Sequence, residues 1–434
     1  VVCNIIPKMS LAIGLVAPMT FGAHFEGVLD YQLAIDSDDA GLQQSQWELT
    51  PRLDFRPASF MDISIIPRLR IDSEDKIAPG KPDQDSRSHW NRRWYPNDYS
   101  DVEIRELYAD SYIQDVFIRA GKQQVVWGQA DGLKVLDVIN PTDYHEFILP
   151  SSEDRRIPLW MINAEIPVAG GTLQTLFIPD TTYDEIPASN AAFAMTTPML
   201  VPTAPASVPV RVADYDKPDD PIADADAGAR WQTFIGGWDI SLNYFYHYSD
   251  QAVFMLESDS SGITVKPQYR RTHTVGTTFS NAFGDYVLRG ELGYSTRRYW
   301  VADPTRVSRG IVRSPELSYV AGLDYNGISN TLISTQLYQS YLTDHAEAIV
   351  RDVAETQVTL LIRRNFWNQT LELEAFGIQS LNDMDRLVQL KGKYLFPGNI
   401  SVHLGADLFF GDEDGLFGQF RDSSRILAGF SYSF

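Results

Sequence analysis

The residues best suited to chemistry are charged groups on neighbouring strand-like segments. Glu372 and Glu374 precede a turn near Asn382-Asp383, and Lys391 and Lys393 follow it. Symmetric pairing about that turn sets Glu374 against Lys391 and Glu372 against Lys393. The turn at Asn368-Gln369 brings Arg363 to Glu374, which predicts an Arg–Glu–Lys ladder along one face. Such a ladder either braces a wall or steers solutes, and with both signs present it fixes no ion selectivity. Arg289, Glu291, His403 and Asp407 alternate with apolar residues in the same way and fall on the same polar face.

Ser401 and His403 have the types of a nucleophile and its base. A lipid-cleaving pair would have to face lipid, yet the alternation puts both on the polar side, so they read as lining. The 7 histidines have no metal-ligand spacing, and the single cysteine, Cys3, offers no zinc cluster. Gly121 and Gly128 bracket a segment without the terminal Lys-Ser/Thr of a phosphate loop. No enzyme, cofactor or metal follows from these residues.

Strands must position them. The run from Arg425 to Phe434 places Ile426, Ala428, Phe430, Tyr432 and Phe434 on one face and Leu427, Gly429, Ser431 and Ser433 on the other. Upstream, Tyr286, Leu288, Leu292 and Tyr294 oppose Arg289, Glu291 and Ser295, while Ile400, Val402, Leu404, Ala406 and Leu408 oppose His403 and Asp407. Near the start, Met61, Ile63, Ile65, Leu69 and Ile71 oppose Asp62, Ser64, Arg68 and Arg70. Pro51 and Pro67 fall within such strands and predict bulges. The segment 330–342 fits worst, because Leu332 and Ile333 are adjacent.

Tight turns are expected at Phe283-Gly-Asp, Tyr325-Asn-Gly, Trp367-Asn-Gln and Phe396-Pro-Gly-Asn, each after an aromatic residue, with longer polar connections between them. Gly170-Gly171 and Gly236-Gly237 read as further turns, and 251–269 as an external hairpin. This alternation suits an all-β transmembrane antiparallel barrel of the bacterial outer membrane, with about 18 strands, 16 being the other even count, and both termini periplasmic. No run of 18 or more apolar residues exists, so membrane helices are excluded as the spanning device. Lys8 and the apolar run Met9–Ala23 read as a signal peptide over 1–23, leaving 24–434 as the barrel. A net charge of −21 argues against nucleic acid.

Two segments break the alternation. Residues 128–157 are too apolar for water and too long for a turn, so they are expected to fold inward as a constriction or, otherwise, as a lid on the external rim. A short helix capped by Asp131 is predicted before Asn140-Pro141. Leu133, Leu136, Val138 and Ile139 would pack, leaving Asp131, Lys134, Asp137, Glu153, Asp154, Arg155 and Arg156 to line or close the lumen. The proline-rich stretch 181–230 reads as a long external loop. Its Asp214, Asp216, Asp219, Asp220, Asp224 and Asp226 suit a solvated loop or, more sharply, divalent-cation binding near lipopolysaccharide.

The run Gly121-Lys-Gln-Gln-Val-Val-Trp-Gly128, then Asp137-Val-Ile-Asn-Pro-Thr-Asp143, then Glu153-Asp-Arg-Arg-Ile-Pro158 resembles an uncharacterised proteobacterial outer-membrane family, the domain of unknown function DUF1302. Lys122 stands where that family more usually has Arg. The resemblance implies an outer-membrane barrel associated with resistance-nodulation-division (RND) type transporters and a periplasmic lipoprotein-like partner. Alginate-export channels are a more distant likeness, with a basic conduit these residues do not supply. Three functions stay open: a channel or export conduit for small or amphipathic solutes, a closed barrel acting as receptor or docking platform, and an outer-membrane hydrolase. The expected surroundings are outer-membrane lipid and lipopolysaccharide, with the barrel-assembly machinery engaging the strand that ends at Phe434.

Overall fold

The computed structural model describes residues 22–130, 132–202, 208–260 and 262–434. Residues 1–21 of the expected signal, Cys3 among them, and the expected helix cap and lumen residue Asp131 lie outside the described residues. Eighteen antiparallel strands form a closed wall that begins with His24–Asp36 and ends with Arg425–Ser433. The two ends join: Val28 pairs with Ser433, and the register runs to Asp36 opposite Arg425. Gly27 and Phe434 exchange backbone hydrogen bonds of 3.0 Å in both directions, so the closing seam reaches the C-terminal residue.

Alternation sorts the side chains as the two-residue period requires. In Tyr286–Val301, Tyr286, Leu292 and Tyr294 are exposed on the outside, while Glu291 is 2% exposed inside. Tight turns gather at the end that carries the C-terminus. Ala169-Gly170 and Gly236-Gly237 take positive φ at both positions, the backbone of a two-residue hairpin turn. Outward rings ring this end, with Phe25 5.8 Å from Phe434 and Tyr286 4.9 Å from Tyr325.

Four local expectations are corrected. The turn expected at Tyr325-Asn-Gly falls later, since Ile311–Ile328 continues through a register shift and Asn330 supplies the positive φ. The strand Thr331–Leu342 is regular: Ile333 pairs outward with Ile362, and Leu332 pairs with Arg363 on the inside, beside the turn. Pro51 keeps its register with Gly27 and carries no bulge. The irregularity beside Pro67 falls on the partner strand, where Arg105 is the extra residue between Ile104 and Glu106.

The fourth correction concerns the inward segment. Among the described residues of this segment no helix forms before Asn140, and its helical turn is Ser152–Arg155, capped by Ser151, whose side chain accepts from the Asp154 amide. The barrel takes the hydrogen bonds a helix would have used: Glu291 accepts from the amides of Gln129, Ala130 (2.7 Å) and Leu136 (3.0 Å). Neighbouring Val135 and Leu136 are both buried, which a single helix face with solvent behind it would not allow.

The lumen towards the loop end contains packed apolar matter. Leu133, Val135 and Leu136 join Phe147, Phe193, Phe409, Phe417 and Phe420 in one cluster, and Ile139 joins Val125, Trp127 and Phe245 in another. Gly276 and Gly293 pair across adjacent strands and leave a notch for Leu136: a Cβ on Gly276 would lie 2.4 Å from its Cδ2. The stretch 181–230 divides. Tyr183 and Phe193 are buried, Val210–Val212 adds to the hairpin Val253–Asp259/Gly262–Gln268, and Asp226 opens a wall strand, held by Arg271 at 2.9 Å.

Because the outer face is apolar, a charge there is expected to be costly while one inside is not. Leu292→Arg should destabilise the folded barrel by about 2–4 kcal/mol in denaturant unfolding from vesicles, and Lys393→Gln by far less. Equal effects would contradict the assigned faces.

Candidate functional site

The site is built where the inward segment meets the wall. Arg68, on Met61–Asp72, faces Glu103, on Ser100–Ile113, at 2.5 Å, as their register requires. Arg87 and Arg93 come from the connection between those strands. Arg87 grips Glu185 with two parallel hydrogen bonds of 2.6 and 2.9 Å. Arg93 donates to Asp143 at 2.7 Å and to Glu185 at 2.9 Å, and both arginines stand 3.5 Å from Glu103. Three connections and two wall strands therefore converge on one ion cluster.

Its members are almost wholly excluded from water. Such charges cost several kcal/mol each to desolvate and persist only when paired and hydrogen-bonded. Burial alone would push the Glu185 carboxyl up, but Arg87 and Arg93 outweigh it and hold the group down at about 2. Burial also opposes ionisation of Asp143, and His145 with Arg93 keeps that carboxyl well below the usual range. Asp143, His145 and Glu185 present ligand atoms within 4.8 Å of one another and could hold a metal ion. Both carboxylates already bind guanidinium groups, so an ion would have to displace them.

The motif shared by the inward segment supplies the other ties. Arg156 clasps Asp137 through Nε at 2.9 Å and Nη2 at 2.8 Å. Asn140 accepts from the Val125 amide at 2.8 Å and donates to the Ile157 carbonyl at 2.9 Å. Lys134 donates to Thr142, whose amide donates to Asp184 at 2.7 Å. Arg105, placed inside by the bulge, donates to the Glu153 carbonyl at 2.7 Å. Lys122 is 2% exposed and donates to the Ile104 carbonyl at 2.6 Å, holding the neighbouring wall strand.

Between this segment and the wall lies a cavity of about 550 Å³. Of the residues singled out from sequence, Glu372, Glu374, Lys391, Lys393, His403, Asp407, Asp154 and Arg155 line it. The register pairs Glu372 with Lys393, Glu374 with Lys391 and Arg363 with Glu374. Of these only Arg363–Glu374 closes to a salt bridge, at 2.6 Å. Arg289 and Glu291 lie beneath the segment as anchors, Arg289 donating to the Gln129 carbonyl and to Asp324 at 3.2 Å. Asp137 and Arg156 are spent on each other, Lys134 on Thr142, and Glu153 is exposed. Ser401 is buried, and no hydrogen bond joins it to His403 among the described residues.

Sequence reasoning missed Arg87, Arg93 and Glu185 as site residues. Arg87 and Glu185 are 98 positions apart, and their local surroundings read as polar loop. Asp220, from the acidic stretch, accepts from the amides of Ile222 and Ala223 at 2.9 Å. Asp224 accepts from the Tyr248 hydroxyl at 2.8 Å. Among the described residues this stretch gathers no cluster able to hold a cation.

Solved structures share the fold. Acinetobacter baumannii OccAB2 matches with a TM-score of 0.53 at 11% identity over 95% of this chain and 98% of its own. Pseudomonas aeruginosa OccK2 (OpdF), solved in complex with glucuronate, gives 0.52 at 10% identity with the same coverage. These likenesses show the fold, a porin-like β-barrel. No curated protein matches the sequence. The family model described as "Protein of unknown function (DUF1302)" matches residues 71–434, and the chain belongs to that family.

Proposed function

We propose that the protein is an outer-membrane channel for small solutes, its passage running between the inward segment and the wall built from strands 371–433 and 24–72. The cavity of about 550 Å³ carries this reading, because charged side chains such as Glu372, Glu374, Lys391 and Lys393 border open space rather than packing against protein. In this reading the tight turns and both termini face the periplasm, where an RND-type export system with its periplasmic lipoprotein partner would dock, and the long connections face lipopolysaccharide. The strand ending at Phe434 is the one offered to the barrel-assembly machinery.

A second reading has one observation in its favour. The aromatic cluster of Phe147, Phe193, Phe409, Phe417 and Phe420 crosses the lumen, which suits a closed receptor or docking platform. Conductance separates the two. Purified folded protein in planar bilayers should pass stepwise ion currents, and removing 128–157 should enlarge each step. A folded barrel that passes no current would overturn the channel.

The ion cluster should behave as a latch. Arg93→Ala leaves Asp143 and Glu185 short of a partner and should cost about 3–5 kcal/mol in unfolding experiments. Depressed carboxyl groups stabilise the fold above their unfolded values and lose that contribution as pH falls through the folded ones. The stability that Glu185 contributes should therefore be complete from neutral pH to about pH 4.5 and be lost only as pH falls further, towards 2, in a comparison of unfolding of the parent with Glu185→Gln. A change centred near pH 6 would contradict this.

A further inference from the structure

The charge preference of the passage rests on the channel reading and can be taken further. Basic groups around the cavity are largely committed. Arg70 pairs with Asp101 at 3.0 Å, Arg93 with Asp143 at 2.7 Å, and Arg425 with Asp407 at 2.9 Å and Glu146 at 2.8 Å. Asp30 and Glu48 of the first hairpin are in no ion pair among the described residues, Glu48 accepting only from the Thr50 hydroxyl at 3.3 Å. Asp30 and Glu48 stand directly opposite one another in the register of His24–Asp36 with Leu42–Ala58, and both line the cavity. Among the described residues no Arg, Lys or His nitrogen comes within 4.0 Å of either carboxylate.

Like charges set opposite on adjacent strands repel, and the repulsion falls when a mobile cation enters the space they share. Arg70, next in register to Glu48, has turned to Asp101 instead. On the far part of the wall, Lys391 and Lys393 stand opposite Glu374 and Glu372 in register, and neither closes a salt bridge among the described residues. Over the whole lining, 12 carboxylates stand against 7 Arg and Lys side chains. The surplus is negative; Asp30, Glu48, Asp75, Asp98, Asp154 and Glu372 are among the carboxylates that carry it without an ion pair among the described residues, and Asp30 and Glu48 are set directly opposite one another.

We infer that the passage prefers cations, that its solutes are small organic cations bearing ammonium or guanidinium groups, and that Asp30 and Glu48 set this preference. Low-dielectric walls on either side of the passage focus the field of the lining charges into it. A potential of about one kT weights cations over anions by about sevenfold.

Reversal potentials in planar bilayers under a KCl gradient test this, followed by the permeability of ethylammonium relative to acetate. The parent protein should favour K⁺ and ethylammonium. The double variant Asp30→Asn/Glu48→Gln should keep its single-channel steps while its K⁺/Cl⁻ permeability ratio falls by about twofold or more. Asp30→Glu should retain the parent ratio. Preference for Cl⁻, or none, would overturn the inference while leaving the channel standing, and so would a conducting double variant with an unchanged ratio. Complete absence of current from folded protein would overturn the channel reading and this inference with it.

Discussion

The structure depends on a buried ion cluster that ties the inward segment to its barrel. Glu103 and Glu185 supply the negative charge, and Arg68, Arg87 and Arg93 surround them at 2.5–3.5 Å. Desolvating such groups is costly, and the cost is offset only when every partner is in place. The cluster therefore acts as an all-or-none constraint. Its five residues come from two wall strands and two connections, with Asp143 adding the inward segment, so no one of these can leave without stranding charge on the others.

From that constraint the division of the lumen follows. Once Asp143 is fixed to Arg93, the residues before it can reach only the near wall, where Glu291 accepts three of their amides and the Gly276/Gly293 notch receives Leu136. The apolar side chains of the segment then close against Phe409, Phe417 and Phe420. What is left open is a passage along the opposite wall, lined by strand residues whose direction is set by the pleat. Apolar packing fills one part of the barrel and polar side chains border the rest, so in the proposed channel the segment would both narrow the passage and give it a charged side.

Much of the wall was legible because a two-residue period leaves little freedom: a slip of one residue would turn Tyr286, Leu292 and Tyr294 into the lumen and Glu291 into lipid. The cross-strand neighbours Arg363, Glu374 and Lys391 were likewise readable from turn position alone, although only the first pair closes into a salt bridge. The inward segment was legible as a break in the pattern but not as a conformation. Its apolar residues looked helical in isolation, whereas their hydrogen bonds are met by Glu291, more than 150 positions away. Arg87 and Arg93 carried no local signal at all. A guanidinium in a polar loop looks the same whether it meets water or Glu185, and only the folded topology decides.

The central claim is that residues 128–157 lie inside the barrel, seated on its wall. It is tested most directly by a disulfide between Leu136→Cys and Gly293→Cys, where an added Cβ would lie 3.3 Å from Cδ2 of Leu136 and clear of backbone, formed in the folded protein after residues 1–21, which contain Cys3, are removed. Mild oxidation should give the intramolecular crosslink in high yield, with no free thiol left for maleimide labelling. Two thiols that stay reduced and label readily in the folded barrel would place the segment elsewhere and contradict it.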